Sequence, residues 1–120
     1  MTEQIGWCVE LEVRPGRLDS FLVLTAEMVD ETAKESGVLN YQRFVSEDGM
    51  VCHAVERYES SGAAMRHLQT FRDKFSEQFS SMVTRRRFTV YGSPNAELKT
   101  MLDAFGATYL RPFGGLPYWP

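Results

Sequence analysis

The chain has 120 residues, of which 43% are apolar and 24% are charged, and its formal net charge at pH 7 is −3. This is the composition of one ordinary globular domain, and its acidic balance argues against nucleic acid or an anionic membrane surface as a partner, because both attract basic proteins. No apolar run is long enough to span a membrane, and the polar start MTEQ does not resemble a signal peptide.

The cysteines indicate the compartment. Cys8 and Cys52 are the two cysteines of the chain, and their spacing matches neither a zinc site nor the framework of a disulfide-rich protein. Since unpaired thiols are usual in reducing compartments, we expect the protein to be cytoplasmic.

The N-terminal third of the chain predicts one strand and one helix. Apolar residues alternate with others from Ile5 to Val13, which is the two-residue period of a strand with one apolar face. From Leu18 to Thr32 they recur at steps of three and four, the period of an amphipathic helix, and Pro15 suits the start of such a helix. We expect Gly37 to end this helix as a left-handed cap.

A β-hairpin is predicted next. Residues alternate from Leu39 to Ser46, the pair Asp48-Gly49 tolerates the positive φ angles of a tight turn, and a second strand runs from Met50 to Tyr58. Ser60 is placed to cap the following helix by accepting a hydrogen bond from an unpaired backbone N–H. The hairpin therefore leads into the second helix with no spacer.

The second helix has an apolar stripe that spans Ser61 to Thr84, with a break expected between residues 70 and 73. Arg85 to Gly92 alternates again and predicts a fourth strand, in which Arg86 shares a face with Phe88. The element order is then β-α-β-β-α-β, the arrangement of a ferredoxin-like α+β fold with an antiparallel sheet.

The C-terminal segment carries one more helix. Ser93-Pro94 starts it, Gly106 stops it, and the residues between them form a single apolar stripe. Thr108 to Leu110 favours a short extra strand, and GGLPYWP is an irregular aromatic end. We therefore expect a ferredoxin-like domain over residues 1–92, with a helix and tail over residues 93–120 that pack on the same domain or on a partner subunit.

The third predicted strand is apolar on both faces for most of its length. Met50, Cys52 and Ala54 lie on one face, and Val51, His53 and Val55 lie on the other. Strands that are buried on both sides have this composition. Because helices cover one face of a ferredoxin-like sheet, we expect a second copy of the chain to cover the other face in a homodimer.

A spaced motif spans the hairpin and the second helix. It fits the pattern E-x-[WY]-x-S-x-x-A-x-x-x-H and consists of Glu56, Tyr58, Ser60, Ala63 and His67. Residues 5–92 resemble the antibiotic biosynthesis monooxygenase family. The resemblance rests on this motif, on the turn Pro15-Gly16 and on the junction Gly37-Val38 with Tyr41. The tail from Ser93 resembles an extension of some members that are described as quinol monooxygenases.

The resemblance implies a dimeric α/β barrel in which two sheets face each other, with a pocket between sheet and helices in each subunit. Some members of the family oxidise phenols or quinols with O2 and use neither a metal nor a flavin, others degrade haem, and a related branch isomerises a small metabolite. The haem-degrading branch needs a histidine further along the second helix, and residues 70–84 contain none. We therefore expect no cofactor and no metal, and a small aromatic molecule as the ligand.

His67 borders the inward stripe of the second helix and is the central candidate. As a histidine in a largely apolar pocket it could take a phenolic proton at neutral pH, with Glu56 orienting it. Tyr41 or Tyr58 would then donate a hydrogen bond to the phenolate. In the structural alternative, His67 donates a hydrogen bond to backbone or to Glu56 and pins the helix on the sheet. Glu56 would then hold an arginine across the dimer, since a buried carboxylate needs a partner.

The residues expected to line the substrate pocket are Trp7, Tyr41, Arg43 and Phe71, although the same side chains would also suit a plain core. Three functions remain open. The favoured one is a cofactor-independent monooxygenase that acts on a small phenol or quinol. The second is an isomerase or other proton-transfer enzyme that uses the same base, and the third is a non-catalytic ligand-binding or assembly module.

Overall fold

The computed structural model describes residues 3–116, so the last four residues of the predicted aromatic end lie outside the described part of the chain. The elements are β1 (Ile5–Val13), α1 (Leu18–Thr32), β2 (Val38–Val45), β3 (Val51–Tyr58), α2 (Ser61–Lys74), α3 (Ser76–Met82), β4 (Val83–Tyr91), α4 (Ala96–Asp103) and β5 (Thr108–Leu110). They form one sheet of order β2-β3-β1-β4-β5, in which all pairs are antiparallel except β4 with β5. The predicted ferredoxin-like α+β fold is confirmed.

The core lies between one face of the sheet and the helices. Along β1, the inward residues Trp7 and Leu11 are fully buried, and they pack with Phe21 and Met28 of α1. The alternation that predicted β1 as a strand therefore corresponds to its buried face, and the helical stripe of α1 covers it. Burial of this apolar surface drives the two layers together.

The long helical stripe after Ser60 is two helices rather than one. The break lies at Phe75, whose backbone leaves the helical region at φ −128°, a few residues after the predicted position. Eight residues of a continuous helix would rise about 12 Å, whereas the rings of Phe71 and Phe79 meet edge to face with centroids 5.0 Å apart. The break thus lets both rings enter the same part of the core. β4 also begins earlier than predicted, at Val83.

A β-bulge in β4 changes which arginine faces inward. Glu10 of β1 lies opposite Arg87, but the next residue, Leu11, lies opposite Arg85, so Arg86 is an extra residue with no partner on β1. A bulge of this kind shifts the alternation of side chains by one position. The prediction that Arg86 shares a face with Phe88 is therefore wrong, and Arg85 occupies the inner face instead.

The C-terminal segment packs on the core of its own chain. Leu98 and Leu102 of α4 are fully buried, and the ring of Phe105 stacks on Phe88 with centroids 5.5 Å apart. The helix starts later than Ser93-Pro94, at a cap in which the Asn95 side chain accepts a hydrogen bond from the backbone N–H of Leu98. The predicted extra strand is present as β5. Within residues 3–116 no helix is long and apolar enough to cross a membrane.

Candidate active site

A buried carboxylate on β3 organises the candidate site. The Oε1 atom of Glu56 accepts hydrogen bonds from the Trp7 indole N–H at 3.0 Å and from the Tyr58 hydroxyl at 2.6 Å, and its Oε2 atom accepts one from the Arg43 guanidinium at 2.8 Å. The sheet register places these donors, because Trp7 lies opposite Glu56 on β1 and Arg43 lies on the neighbouring strand β2. Glu56 thus binds an arginine of its own chain, whereas the structural alternative predicted an arginine across the dimer.

The hydrogen bonds decide the charge of this cluster. Burial alone would raise the pKa of Glu56, but the positive charge of Arg43 and the other donors hold that pKa below its ordinary value. Burial and the Glu56 carboxylate raise the pKa of Tyr58 well above its usual range. At neutral pH, Glu56 is therefore an anion, and Tyr58 is a neutral hydroxyl that donates its hydrogen bond to the Glu56 carboxylate.

His67 is positioned by the first turn of α2 and by the loop before β2. Ser60 caps α2 as predicted, since its Oγ atom accepts a hydrogen bond from the backbone N–H of Ala63 at 3.2 Å. Gly37 has the predicted positive φ, +84°, but it lies beyond the end of α1, and a Cβ there would come within 2.7 Å of Ala63. This close approach of loop and helix brings Glu35 to His67.

Both nitrogens of His67 face carboxylates. Its Nδ1 atom is 3.0 Å from the Oε1 atom of Glu35, and its Nε2 atom is 3.6 Å from the Oε1 atom of Glu56. A carboxylate can only accept a hydrogen bond, so Nδ1 carries the proton shared with Glu35, whereas Nε2 lies beyond hydrogen-bond distance of Glu56. The residue that orients the ring by a hydrogen bond is thus Glu35, whereas Glu56 was predicted for this role.

Glu35 was not identified from the sequence. It lies 32 residues before His67 in an irregular loop, outside any motif, and no spacing rule connects the two. The available signal was the helix-to-strand junction at Gly37, whose small residue permits the loop to approach α2.

Tyr41 forms the wall of the site beside His67. Its ring meets the imidazole edge to face with centroids 5.3 Å apart, and the Arg43 guanidinium lies 3.6 Å from the centre of the same ring. Burial, together with the negative charge of Glu56, raises the pKa of Tyr41 to about 12. Tyr41 is therefore a neutral hydroxyl that can donate a hydrogen bond at neutral pH.

These side chains line a cavity between the sheet and the helices. Of the predicted residues, those in its wall are Trp7, Tyr41, Arg43, Glu56, His67 and Phe71. Tyr58 lies outside the wall, and its hydroxyl is already committed to Glu56, so the prediction that it contacts the substrate does not fit its position. The wall also contains Arg85, which was not predicted to belong to the site.

The cavity is narrow. About 490 Å³ of space lies between its walls when the open mouth is included, but the centre of a water molecule can occupy only about 40 Å³ of it. That is room for a few waters, so a planar ligand must displace side chains to enter. Within residues 3–116, no group of three or more His, Cys, Asp or Glu side chains is arranged to hold a metal ion.

Comparisons with known proteins agree with this architecture. The family model described as "Antibiotic biosynthesis monooxygenase" matches residues 6–85. MupZ from Pseudomonas fluorescens is 22% identical, with a TM-score of 0.83, and the match covers 98% of this chain and 96% of MupZ. SnoaB from Streptomyces nogalater, described as a cofactor-independent oxygenase, is 12% identical with a TM-score of 0.67, covering 79% of this chain and 97% of SnoaB.

Rv0793 from Mycobacterium tuberculosis is 23% identical, with a TM-score of 0.58, over 77% of this chain and 96% of that protein. At these identities the three structures establish a shared fold. The match to MupZ also extends over nearly the whole chain, whereas those to SnoaB and Rv0793 cover less than four-fifths of it. No curated protein matches the sequence.

Proposed function

The chain belongs to the antibiotic biosynthesis monooxygenase family, and from that premise we propose that it is a cofactor-independent monooxygenase that oxidises a small phenol or quinol with O2. The observation that carries the proposal is the arrangement of His67, whose Nδ1 atom is held by Glu35 while its ring lines an aromatic cavity. A histidine held in this way is oriented to take a proton at Nε2.

A base is sufficient for such a reaction. Ground-state O2 is a triplet and cannot combine with a closed-shell molecule in one spin-allowed step, so the substrate must first give O2 a single electron. A phenolate does this far more readily than a phenol. The protein therefore has to remove one proton, stabilise the phenolate oxygen and keep the site dry, which strengthens both effects.

The charges around His67 suit this proton transfer. When Nε2 takes the phenolic proton, the imidazolium lies between two carboxylates, with Glu35 3.0 Å from Nδ1 and Glu56 3.6 Å from Nε2. The two carboxylates are then the counter-charges of the imidazolium while it holds that proton. The neutral hydroxyl of Tyr41, which lies beside the imidazole, donates the hydrogen bond to the phenolate. Tyr58 does not contact the substrate; its hydrogen bond holds the Glu56 carboxylate in place.

The steps balance without another reactant. The phenolate passes one electron to O2, and the resulting phenoxyl radical and superoxide form a carbon–oxygen bond at a ring carbon that is ortho or para to the hydroxyl and carries a hydrogen. The terminal peroxide oxygen takes the proton back from His67. The O–O bond then breaks as that ring carbon loses its proton and becomes a carbonyl, and the departing hydroxide combines with that proton. One phenol and one O2 give one quinone and one water.

Oxygen uptake tests this proposal. We expect the protein to consume O2 with at least one member of a panel of small phenols and quinols, in stoichiometric proportion to quinone formed and without loss of rate in a chelator. An oxygen electrode combined with absorbance of the quinone measures both quantities. Conversion of a panel member without O2 consumption would instead support an isomerase or other proton-transfer enzyme that uses His67. If no panel member reacts in either way, the protein is a ligand-binding module.

We also propose that the protein is a homodimer that pairs through the outer face of the sheet. Phe44 lies on this face with 55% of its surface exposed, next to Val51 and His53 of β3. Replacing Phe44 with aspartate should shift sedimentation from dimer to monomer, because it puts a charge into the apolar surface of the proposed contact. Leu22→Asp is the matched control, since Leu22 is 50% exposed but lies on α1. A monomeric wild type at micromolar concentration would refute the proposal.

A further inference from the structure

Arg85 lies among aromatic side chains in the wall of the cavity. The bulge at Arg86 turns it to the inner face of β4, where it is half-buried and lines the same cavity as His67. Its guanidinium carbon lies within 5.9 Å of the centres of three rings, those of Phe71, Phe79 and Phe105. Such contacts hold a cation in place, but they do not neutralise its charge.

The other arginines nearby each have a carboxylate. Arg86 pairs with Glu12, Arg87 lies 4.0 Å from Glu10, and Arg43 binds Glu56. Within residues 3–116, Arg85 alone among these four has neither an ion pair nor a hydrogen bond. Burial lowers the pKa of Arg85, because a half-buried charge is partly removed from water.

Arg85 and the Glu56–His67 cluster lie toward different ends of the cavity. On β1, the residue opposite Glu56 is Trp7 and the residue opposite Arg85 is Leu11. Four residues of a strand span about 13 Å, so the base and the unpaired guanidinium are separated along the sheet while they face the same space. A ligand that contacts both must be elongated, with one polar group at each end.

We propose that Arg85 binds an anionic group of the substrate, so that the substrate is a phenol or quinol that carries a carboxylate at the end remote from its reacting hydroxyl. This inference rests on the proposed function for the phenolic end only. A guanidinium offers two parallel N–H donors that fit a carboxylate, and the apolar rings around it strengthen the charge-assisted hydrogen bonds. The acid supplies the counter-charge that the chain does not place there.

Binding of a matched pair of probes tests the proposal. The acid is 3-(4-hydroxyphenyl)propanoate, and its neutral counterpart is 3-(4-hydroxyphenyl)propanamide, which keeps the shape and the phenol. Titration calorimetry without O2 should show that the wild type binds the acid about ten-fold or more tightly than the amide. Equal affinities for the two probes, or binding of neither, would overturn the proposal.

Variants of the three consecutive arginines locate the effect. Arg85→Gln should remove the preference for the acid, and Arg85→Lys should keep part of it. Arg86→Gln and Arg87→Gln remove the same charge from the adjacent positions, so both should keep the full preference. Retention of the preference in Arg85→Gln, or an equal loss in the two controls, would show that the anion binds elsewhere. Circular dichroism melts confirm that each variant is folded before titration.

The binding experiment is independent of oxygen chemistry. If the protein prefers the acid but consumes no O2 with any phenol, the anion site at Arg85 stands and the monooxygenase proposal fails. If the protein oxidises acidic and neutral phenols with the same KM, the monooxygenase proposal stands and the role of Arg85 fails.

Discussion

Replacing His67 with alanine is expected to lower kcat for an active quinol by about 10²–10⁴-fold, the usual contribution of a general base. The loss follows because His67 is the only imidazole among the described side chains of the cavity wall. Steady-state oxygen uptake on folded protein measures it. Gln69→Ala is the matched control, since Gln69 lies on the same helix but is exposed and outside the cavity wall, and it should leave kcat unchanged.

The same substitution has a structural cost that must be separated from the catalytic one. His67 is buried, and its removal leaves the Glu35 carboxylate without its partner, which should cost about 1–3 kcal/mol of stability. Activity is therefore expressed per folded molecule, with the folded fraction taken from a urea titration. A variant that melts below wild type yet keeps full activity per folded molecule would assign His67 a purely structural role.

Replacing Glu56 with alanine should lower the free energy of unfolding by about 3–5 kcal/mol. The change leaves the buried Arg43 guanidinium without its counter-charge and removes the acceptor of both Trp7 and Tyr58. Urea unfolding measures the difference. Glu12→Ala is the matched control, because this glutamate also pairs with an arginine but is well exposed, and such pairs contribute at most about 1 kcal/mol. A loss as small as that of the control would contradict the described network.

The pH dependence of stability gives a second measure of Glu56. Since its pKa is lower in the folded protein than in the unfolded chain, the carboxylate stabilises the fold above its unfolded pKa of about 4.3. This contribution is lost as the pH falls through the lower, folded value. We expect the wild type to lose stability below about pH 4, and Glu56→Gln, which cannot ionise, to show a flatter acid limb. Parallel acid limbs would show that other carboxylates dominate.

Local patterns in the sequence were enough to predict most of the fold. The periods of the residues in β1 and α1, the turn at Asp48-Gly49 and the cap at Ser60 are all set by neighbours along the chain, and each appears where it was expected. The proximity of Glu56 to His67 was also predicted, from the spaced motif that contains both, although the hydrogen bond to the ring comes from Glu35.

The rest of the site depends on contacts between distant parts of the chain. Glu35 reaches His67 because Gly37 lets a loop approach α2, and neither residue has a periodic signal. Arg85 enters the cavity because the register of β4 slips by one residue against β1. Alternation along a strand predicts which side chains share a face only where the strand pairs regularly with its neighbour. A β-bulge therefore cannot be predicted from alternation.

The bulge at Arg86 also bears on how sequences of this fold should be aligned. Val83 and Arg85 face the core only because Arg86 is an extra residue in β4 with no partner on β1. A chain without this extra residue would have a regular fourth strand and would still turn the equivalent side chains toward the core. When this chain is aligned with one that has a regular fourth strand, a one-residue gap at position 86 keeps the cavity-lining residues aligned. Without the gap, inward-facing residues of one protein are aligned with outward-facing residues of the other.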